Sequence, residues 1–237
     1  MRIIGIFSGK GGVGKTTIAT NLAAHIAGDM NKNVMLLDAN LTTPHIPIHL
    51  GIDYMPVTIN HVIRDSADIR DAVYNHPSGI KVIPASISMS ELSGVDIFKL
   101  PSVVNEIRER FFGKTDFLII DSAPGFGREA MAAFRSCKEI LMIATPQTTS
   151  VMDTVRCRQV GEEMNMKMLG IVLNMVNGSR GELKRKDVEM ITGTKVLSSV
   201  PYDKNITKSI SAGMPLIVNK KRSKTSRRIG EVAGAIL

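Results

Sequence analysis

Residues 9–17 read GKGGVGKTT and match the pattern G-x-x-x-x-G-K-[ST] at every fixed position. The apolar, β-branched run at residues 2–8 predicts a buried strand before this segment, and helical spacing of apolar residues from Ile18 to Ile26 predicts a helix after it. Glycines let backbone N–H groups approach an anion, and the helix directs its positive end at the same point. The segment therefore predicts a phosphate-binding loop in an α/β fold.

The side chains of this loop are those that bind a triphosphate with its metal ion. Lys15 offers a charge to the β- and γ-phosphates, and Thr16 offers a hydroxyl to Mg²⁺. The residues expected to bind the cofactor are Gly11, Gly12, Val13, Gly14, Lys15, Thr16 and Thr17. A second lysine, Lys10, stands at a position that ordinary phosphate loops leave free.

Apolar strands alternate with helices along the whole chain. The predicted strands are residues 2–8, 33–38, 80–84, 116–121, 139–145, 168–174 and 195–200. The predicted helices follow the loop and cover residues 57–74, 101–112, 128–134, 151–164, 184–191 and 227–237, whereas residues 40–51 are expected to be irregular. This order predicts a three-layer α/β P-loop NTPase fold, with a mostly parallel twisted sheet and helices on both faces. We expect one domain over residues 1–237.

Three polar residues and one proline stand at the ends of predicted strands. Asp38, Asp121, Asn174 and Pro201 all lie at the carboxyl end of a strand, as does the phosphate loop. Ligands of such sheets bind at the carboxyl ends of the strands. The strand pattern therefore places the site where the motif places it.

The composition limits the classes of partner and compartment. A net charge of +8 allows attraction to nucleic acid or anionic lipid and does not choose between them. The basic run at residues 220–228 contains no aromatic residue, so base stacking is not indicated there, and a solvated loop and helix start is expected. No apolar run approaches the ~20 residues that span a bilayer, and the N-terminal run is too short for a signal peptide. We expect a cytoplasmic protein.

Cysteine and histidine spacings do not favour a metal cluster. Cys137 and Cys157 are the two cysteines, and they form no C-x-C or C-x-x-C pair. His45 and His49 are four residues apart, but two nearby prolines are expected to disrupt a helix there.

With Lys10 included, the loop resembles the deviant phosphate loop of the MinD/ParA family of ATPases. Four later segments resemble motifs of that family in the same order: DSAPG at 121–125, SVMD at 150–153, VLN at 172–174 and VPYD at 200–203. The likeness covers essentially the whole chain and is closest to the compact MinD-like proteins of archaea.

The resemblance implies roles for the motif residues. ATP or ADP with Mg²⁺ would be the cofactors, and Lys10 would reach the partner's phosphates across an ATP-bound homodimer. Asp121 would hold the metal through water together with Thr16, and Asp38 would order the metal's water shell. The base side of the nucleotide would be bound by Asn174, which reads adenine, and by Pro201 and Asp203.

One position departs from the family pattern. The family usually has a second aspartate two residues after Asp38, where it positions the attacking water, but this chain has Asn40. An amide orients water through its oxygen, yet it carries no charge and is not a base. We therefore expect slow hydrolysis and a long-lived ATP dimer, whether the asparagine is native or was introduced to hold ATP.

The C-terminal segment bears on membrane binding. Bacterial MinD-like proteins carry an amphipathic membrane helix beyond the last core helix. Here the apolar residues of 229–237 form one helical face, and Gly230 and Gly234 weaken an isolated helix. We expect this face to cover the sheet, so membrane binding is absent or weak and peripheral.

These inferences favour an ATP-dependent dimerisation switch that positions cargo or division components, read by a regulator at its switch loops. Three alternatives stay open. One is a partition ATPase that binds DNA non-specifically through the basic surface, and another is an ATP-clamped binding module with little hydrolysis. The third is a metal-insertion ATPase of the same superfamily, against which the missing paired cysteines count.

Overall fold

A computed structural model describes residues 1–237, which form eight strands and ten α-helices. The strands are β1 (Arg2–Phe7), β2 (Val34–Ala39), β3 (Tyr74–Asn75), β4 (Lys81–Ile83), β5 (Phe117–Ser122), β6 (Glu139–Ala144), β7 (Lys167–Val176) and β8 (Val196–Pro201). The helices are α1 (Lys15–Gly28), α2 (Ile46–Leu50), α3 (Ile59–Ile63), α4 (Leu100–Arg110), α5 (Arg128–Ser136), α6 (Thr148–Glu163), α7 (Arg185–Thr192), α8 (Asn205–Ser211), α9 (Leu216–Asn219) and α10 (Lys224–Ile236). Short 3₁₀ turns cover Ile69–Ala72, Met89–Leu92 and Ile97–Lys99.

All eight strands form one sheet in the order β3-β4-β2-β5-β1-β6-β7-β8. Every neighbouring pair is parallel except β3 and β4, which are antiparallel at the edge. The expected α/β fold with a mostly parallel sheet is therefore confirmed. Parallel pairing brings the carboxyl ends of β1, β2, β5, β6, β7 and β8 to one side, where ligands bind in such sheets.

Two hydrophobic cores cover the two faces of the sheet. In β1, Ile4 and Ile6 contribute to the core shared with α1 and α10, whereas Phe7 contributes to the opposite core. Phe7 stacks there on Phe134 of α5, with ring centroids 3.8 Å apart. Because successive side chains of a strand point to opposite faces, a central strand buried on both sides is apolar throughout.

The prediction of a mostly helical segment at residues 57–74 is wrong. Only α3 and the 3₁₀ turn Ile69–Ala72 are helical in this segment. Helix α3 ends before Asp65, whose φ of 58° lies in the left-handed region. The side chain of Asp68 then accepts from the N–H of Arg70 and begins the separate turn. Local hydrogen bonds from side chains to the backbone therefore divide the segment that the apolar spacing predicted to be one helix.

The expectation that prolines would prevent a helix in residues 40–51 is also wrong. Helix α2 forms with Pro47 in its first turn, where a missing N–H costs nothing, and it includes His49. It ends at Gly51, whose φ is 59°. The short helices α8 and α9 were not expected either.

The last helix packs on the sheet as expected. In α10, Ile229, Val232, Ala233 and Ile236 are buried in the second core, and the terminal Leu237 is half exposed. No helix of the chain combines the length and the apolar character needed to cross a membrane.

Candidate functional site

The phosphate loop joins β1 to α1 and depends on two glycines with positive φ. Gly12 has a φ of 76° and Gly14 a φ of 88°. A β-carbon at Gly14 would lie 2.4 Å from Nδ2 of Asn174, whereas nothing lies within 4 Å of one at Gly12. Gly14 is therefore fixed by both conformation and space, and Gly12 leaves its side of the loop open to a ligand.

Lys15 is held inside the loop by a residue that the sequence analysis missed. Its Nζ donates to Oγ of Ser8 at 3.1 Å, and that hydroxyl donates to the carbonyl of Lys10 at 2.7 Å. Burial lowers the pKa of Lys15, and the nearby Asp121 carboxylate opposes this shift. A buried cation of this kind is stabilised by an anion such as a phosphate. The position of Ser8, directly before the loop, was the signal available for it.

Thr16 and Asp121 are joined at the start of α1. Oγ1 of Thr16 donates to Oδ2 of Asp121 at 2.6 Å. The other carboxylate oxygen of Asp121, Oδ1, is buried and has no hydrogen-bond partner. Burial raises the pKa of Asp121 to about 6, although Thr16 and Lys15 act to lower it. The unpaired oxygen identifies a place for a further ligand, because buried carboxylate oxygens are otherwise satisfied.

Asp38 stands beside Asp121 in the neighbouring strand, and the two residues are in register between β2 and β5. It accepts from the backbone N–H groups of Asn40 and Ile46, both at 3.1 Å. The pKa of Asp38 is raised well above its usual value, mainly by burial and secondly by the charge of Asp121. A divalent cation would offset two buried carboxylates side by side.

These residues fit Mg²⁺. Two carboxylates and the hydroxyl of Thr16 are oxygen ligands, and no group of three or more His, Cys, Asp or Glu side chains is placed to hold a metal. Mg²⁺ usually keeps several waters and takes only one or two protein carboxylates, with phosphate oxygens completing its shell. Asp38, Asp121 and Thr16 would therefore hold the ion only together with a bound nucleotide.

Asn40 opens the loop that follows β2, residues 40–45, which we call the Asn40 loop. Both ends of its amide bind within this loop: Nδ2 donates to the carbonyl of Thr43 at 2.5 Å, and Oδ1 accepts from Oγ1 of Thr43 at 3.1 Å. Beside it lies a cavity of 430 Å³, which we call the loop cavity. The loop cavity is lined by Asn40, Thr42, Thr43, Ala123, Pro124, Gly127, Arg128, Glu129 and Ala130.

The predicted base-binding residues lie around a second cavity, of 220 Å³, at the ends of β7 and β8. Nδ2 of Asn174 donates to the carbonyl of Val13 at 2.8 Å, which links this cavity to the phosphate loop. The cavity is lined by Thr17, Ile18, Asn174, Met175, Val200, Pro201, Tyr202, Asp203, Ile206, Thr207, Ile210, Thr225 and Ile229. Met175 was not identified from the sequence, because an apolar lining residue has no motif, and Tyr202 was noted only as part of the segment 200–203.

The carboxylate of Asp203 is largely occupied by hydrogen bonds within the protein. Its carboxylate accepts from the N–H of Asn205 at 2.9 Å and from Oγ1 of Thr225 at 2.8 Å. Although burial acts to raise the pKa of Asp203, these hydrogen bonds hold it below its usual value. Asp203 therefore joins the start of α8 to α10 and shapes the cavity wall.

Lys10 is placed differently from Lys15, the other lysine of the loop. It is exposed, and its bond within the loop is made by the backbone carbonyl rather than by the ammonium group. The structure thus gathers Lys15, Thr16, Asp38 and Asp121 into one cluster and leaves the charge of Lys10 outside it.

Comparison with known proteins agrees with this geometry. The sequence profile of the ParA family, described as "NUBPL iron-transfer P-loop NTPase", matches residues 1–237. An uncharacterised ATP-binding protein of Methanocaldococcus jannaschii is 35% identical over 234 residues, covering 99% of this chain and 87% of the relative. The chain belongs to the ParA/MinD family of P-loop NTPases.

Two further relatives of this ParA/MinD chain show how broad the family is. The septum site-determining protein MinD of Pyrococcus horikoshii, solved with Mg-ADP, is 29% identical with a TM-score of 0.92, covering 98% of this chain and 94% of that one. An iron-sulfur cluster carrier protein of Synechocystis is 28% identical over 255 residues, covering 99% of this chain and 69% of the relative. The expected cofactors, ATP or ADP with Mg²⁺, are confirmed at the level of the family. The roles of individual site residues stay predictions.

Proposed function

We propose that this chain is an ATP-dependent dimerisation switch that hydrolyses ATP slowly. The observation that carries the proposal is the contrast between two lysines of one loop. Lys15 is buried and directed into the site, whereas Lys10 is exposed with its ammonium group free of ion pairs in the chain. A second copy placed across the loop would offer its own phosphates to Lys10. Two chains would then enclose two nucleotides.

The nucleotide of each chain is bound from both ends. The backbone amides of the loop and Lys15 bind the phosphates, while Thr16, Asp38 and Asp121 bind Mg²⁺ and its waters. Asn174 reads the base beside Pro201 and the backbone near Asp203. Mg²⁺ supplies charge neutralisation of the phosphates when bound. The protein's own contribution is to position the phosphates and exclude bulk water.

Slow hydrolysis follows from the state of Asn40. Its amide carries no charge, and both of its ends are bound to Thr43. Neither end is therefore free to orient the attacking water, and an amide is not a base. Faster turnover would depend on a protein regulator that binds at the Asn40 loop, which suits a switch that positions cargo or division components in the cytoplasm.

A second function, partition by non-specific DNA binding, is favoured by the charge pattern around the start of α10. Arg222, Lys224 and Arg227 are exposed, whereas the neighbouring Lys221 and Arg228 are paired with acidic residues. Retention on DNA that requires ATP and falls steeply with salt would support this function.

Cluster carriage, the role that the Synechocystis relative's name gives, is less favoured for this chain. Cys137, at the end of α5, and Cys157, in α6, are both buried. Burial raises the pKa of each thiol to about 12. Thiolate is the form that binds metal, so neither side chain is prepared for a cluster.

Oligomeric state and turnover, measured together, test the proposed function. Light scattering after size exclusion would be recorded with ADP, with ATP and with ATP plus Mg²⁺, for the native chain, Lys10→Ala and Lys15→Ala. We expect a dimer only with ATP, a monomer that still binds a fluorescent ATP analogue for Lys10→Ala, and lost binding for Lys15→Ala. A native chain that binds ATP and stays monomeric would overturn the role of Lys10.

A further inference from the structure

Two segments that follow the strand-end carboxylates Asp38 and Asp121 contact each other beside the loop cavity. The Asn40 loop leaves β2 after Asp38, and a second loop leaves β5 after Asp121 and enters α5. Across the cavity, Oγ1 of Thr42 donates to Oε1 of Glu129. This hydrogen bond joins residues that are 87 positions apart in the chain.

The two partners differ in how firmly they are held. Glu129 lies in the first turn of α5, where the helix dipole favours a carboxylate. That helix is fixed by the burial of Ala130, Ala133 and Phe134. Thr42, in contrast, is exposed in a loop that is otherwise held by the bond from the N–H of Asn40 to Asp38, by the burial of Leu41 and by the bonds between Asn40 and Thr43.

We propose that Glu129 is a positioning residue, which holds the Asn40 loop closed over the loop cavity through Thr42 and thereby sets the rate of hydrolysis. The inference rests on the function proposed above. In this arrangement the carboxylate is bound to Thr42. It acts by fixing the loop whose first residue, Asn40, borders the place where water would attack.

Glu129 also offers the only acidic side chain of the loop cavity. A direct role as a base in proton transfer is therefore the main competing explanation. The two roles make different demands on the side chain. A positioning contact needs an oxygen that accepts from Thr42, and an amide provides one, whereas a base needs the ionised carboxylate.

The first test is kinetic and uses Glu129→Ala, Glu129→Gln, Thr42→Val and the double variant Thr42→Val with Glu129→Ala. We expect kcat to fall roughly 2- to 10-fold in Glu129→Ala and in Thr42→Val, the range for one lost net hydrogen bond. The double variant should be no slower than either single one, and KM for ATP should not change. Glu129→Gln should restore most of the native rate. Glu163→Ala, an exposed glutamate at the end of α6, is the matched control.

Three results would overturn the inference. If Glu129→Gln is as slow as Glu129→Ala while Thr42→Val is native-like, the carboxylate acts as a base instead. If the two single effects multiply in the double variant, the residues act independently. If no variant changes kcat, the contact does not influence hydrolysis.

A second measurement, without nucleotide, separates this inference from the proposed function. Hydrogen exchange at the N–H groups of Asn40 and Ile46, which donate to Asp38 at the two ends of the Asn40 loop, reports the opening of this loop. Exchange should be faster in Glu129→Ala and Thr42→Val than in the native chain, and unchanged in Glu129→Gln and Glu163→Ala. If the variants show these shifts but the native chain never hydrolyses ATP, the role of the contact in holding the loop stands and the proposed ATPase function is refuted. Equal exchange in all variants would refute the contact.

Discussion

Asp38 and Asp121 are paired in register on the neighbouring parallel strands β2 and β5. Two buried carboxylates therefore stand side by side next to the phosphate loop. Such a pair costs free energy when both groups are ionised and no cation is present. The proposed metal site is thus a source of instability in the absence of its ligand, and this relationship can be measured.

Asp121→Asn should stabilise the nucleotide-free and metal-free protein at pH 7.5. The folded-state pKa of Asp121, about 6, lies above its ordinary value, so folding binds protons between these two values. The destabilisation is absent below the ordinary pKa, grows as pH rises and is complete above about pH 6. At about 1.4 kcal/mol per unit it amounts to roughly 3 kcal/mol at most.

Thermal unfolding from pH 4 to pH 8 measures this effect. We expect Asp121→Asn to unfold several degrees above the native chain at pH 7.5, with the difference shrinking towards pH 4. The variant should also lose the stabilisation that Mg-ATP gives the native chain. A lower unfolding temperature for the variant at pH 7.5 would contradict the charge argument.

Asn40→Asp should increase ATP turnover without changing ATP affinity. A positioned general base contributes ~10²–10⁴-fold, and phosphoryl transfer depends more on positioning, so we expect a gain of roughly 10-fold or more. Steady-state phosphate release and titration with a fluorescent ATP analogue give the two quantities. Asn40→Ala is the control that removes the amide without adding charge. If the aspartate variant is no faster than the native chain, Asn40 does not limit hydrolysis.

Gly213→Ala should destabilise the protein more than Gly178→Ala. Both glycines have positive φ, 60° and 77° respectively, so each substitution carries similar backbone strain. A β-carbon at Gly213 would lie 2.8 Å from Cα of Gly51, whereas nothing lies within 4 Å at Gly178. The contact joins the ends of α2 and α8, and backbone atoms cannot move aside cheaply. Denaturant unfolding should show a cost of ~1 kcal/mol for Gly178→Ala and clearly more for Gly213→Ala; equal costs would mean that this contact relaxes freely.

Cys137 and Cys157 should resist thiol reagents in the folded protein. Since the thiolate is the reactive form, a pKa of about 12 leaves almost none at pH 8. Reaction with Ellman's reagent should be slow in buffer and rapid for both residues in guanidinium chloride. Rapid labelling of the native chain would contradict this prediction and would support the cluster-carrier function.

The sheet and the phosphate loop are predictable because each depends on short-range patterns. Strands such as β2 and β5 are apolar runs that end in Asp38 and Asp121, and parallel pairing then brings these carboxylates together. Helix α2 is not predictable in this way, because its start is fixed by the bond from the N–H of Ile46 to Asp38. The contact of Thr42 with Glu129 likewise joins distant segments and leaves no local pattern.

Asn174 has a consequence for how base selectivity could change in this family. Its amide supports the carbonyl of Val13 and touches the space beside Gly14, while facing the cavity proposed for the base. Replacing it to prefer another nucleobase would also remove a support of the phosphate loop. A change from ATP to GTP would therefore weaken triphosphate affinity at the same step, and a viable evolutionary route would have to begin with a substitution elsewhere that stabilises the loop.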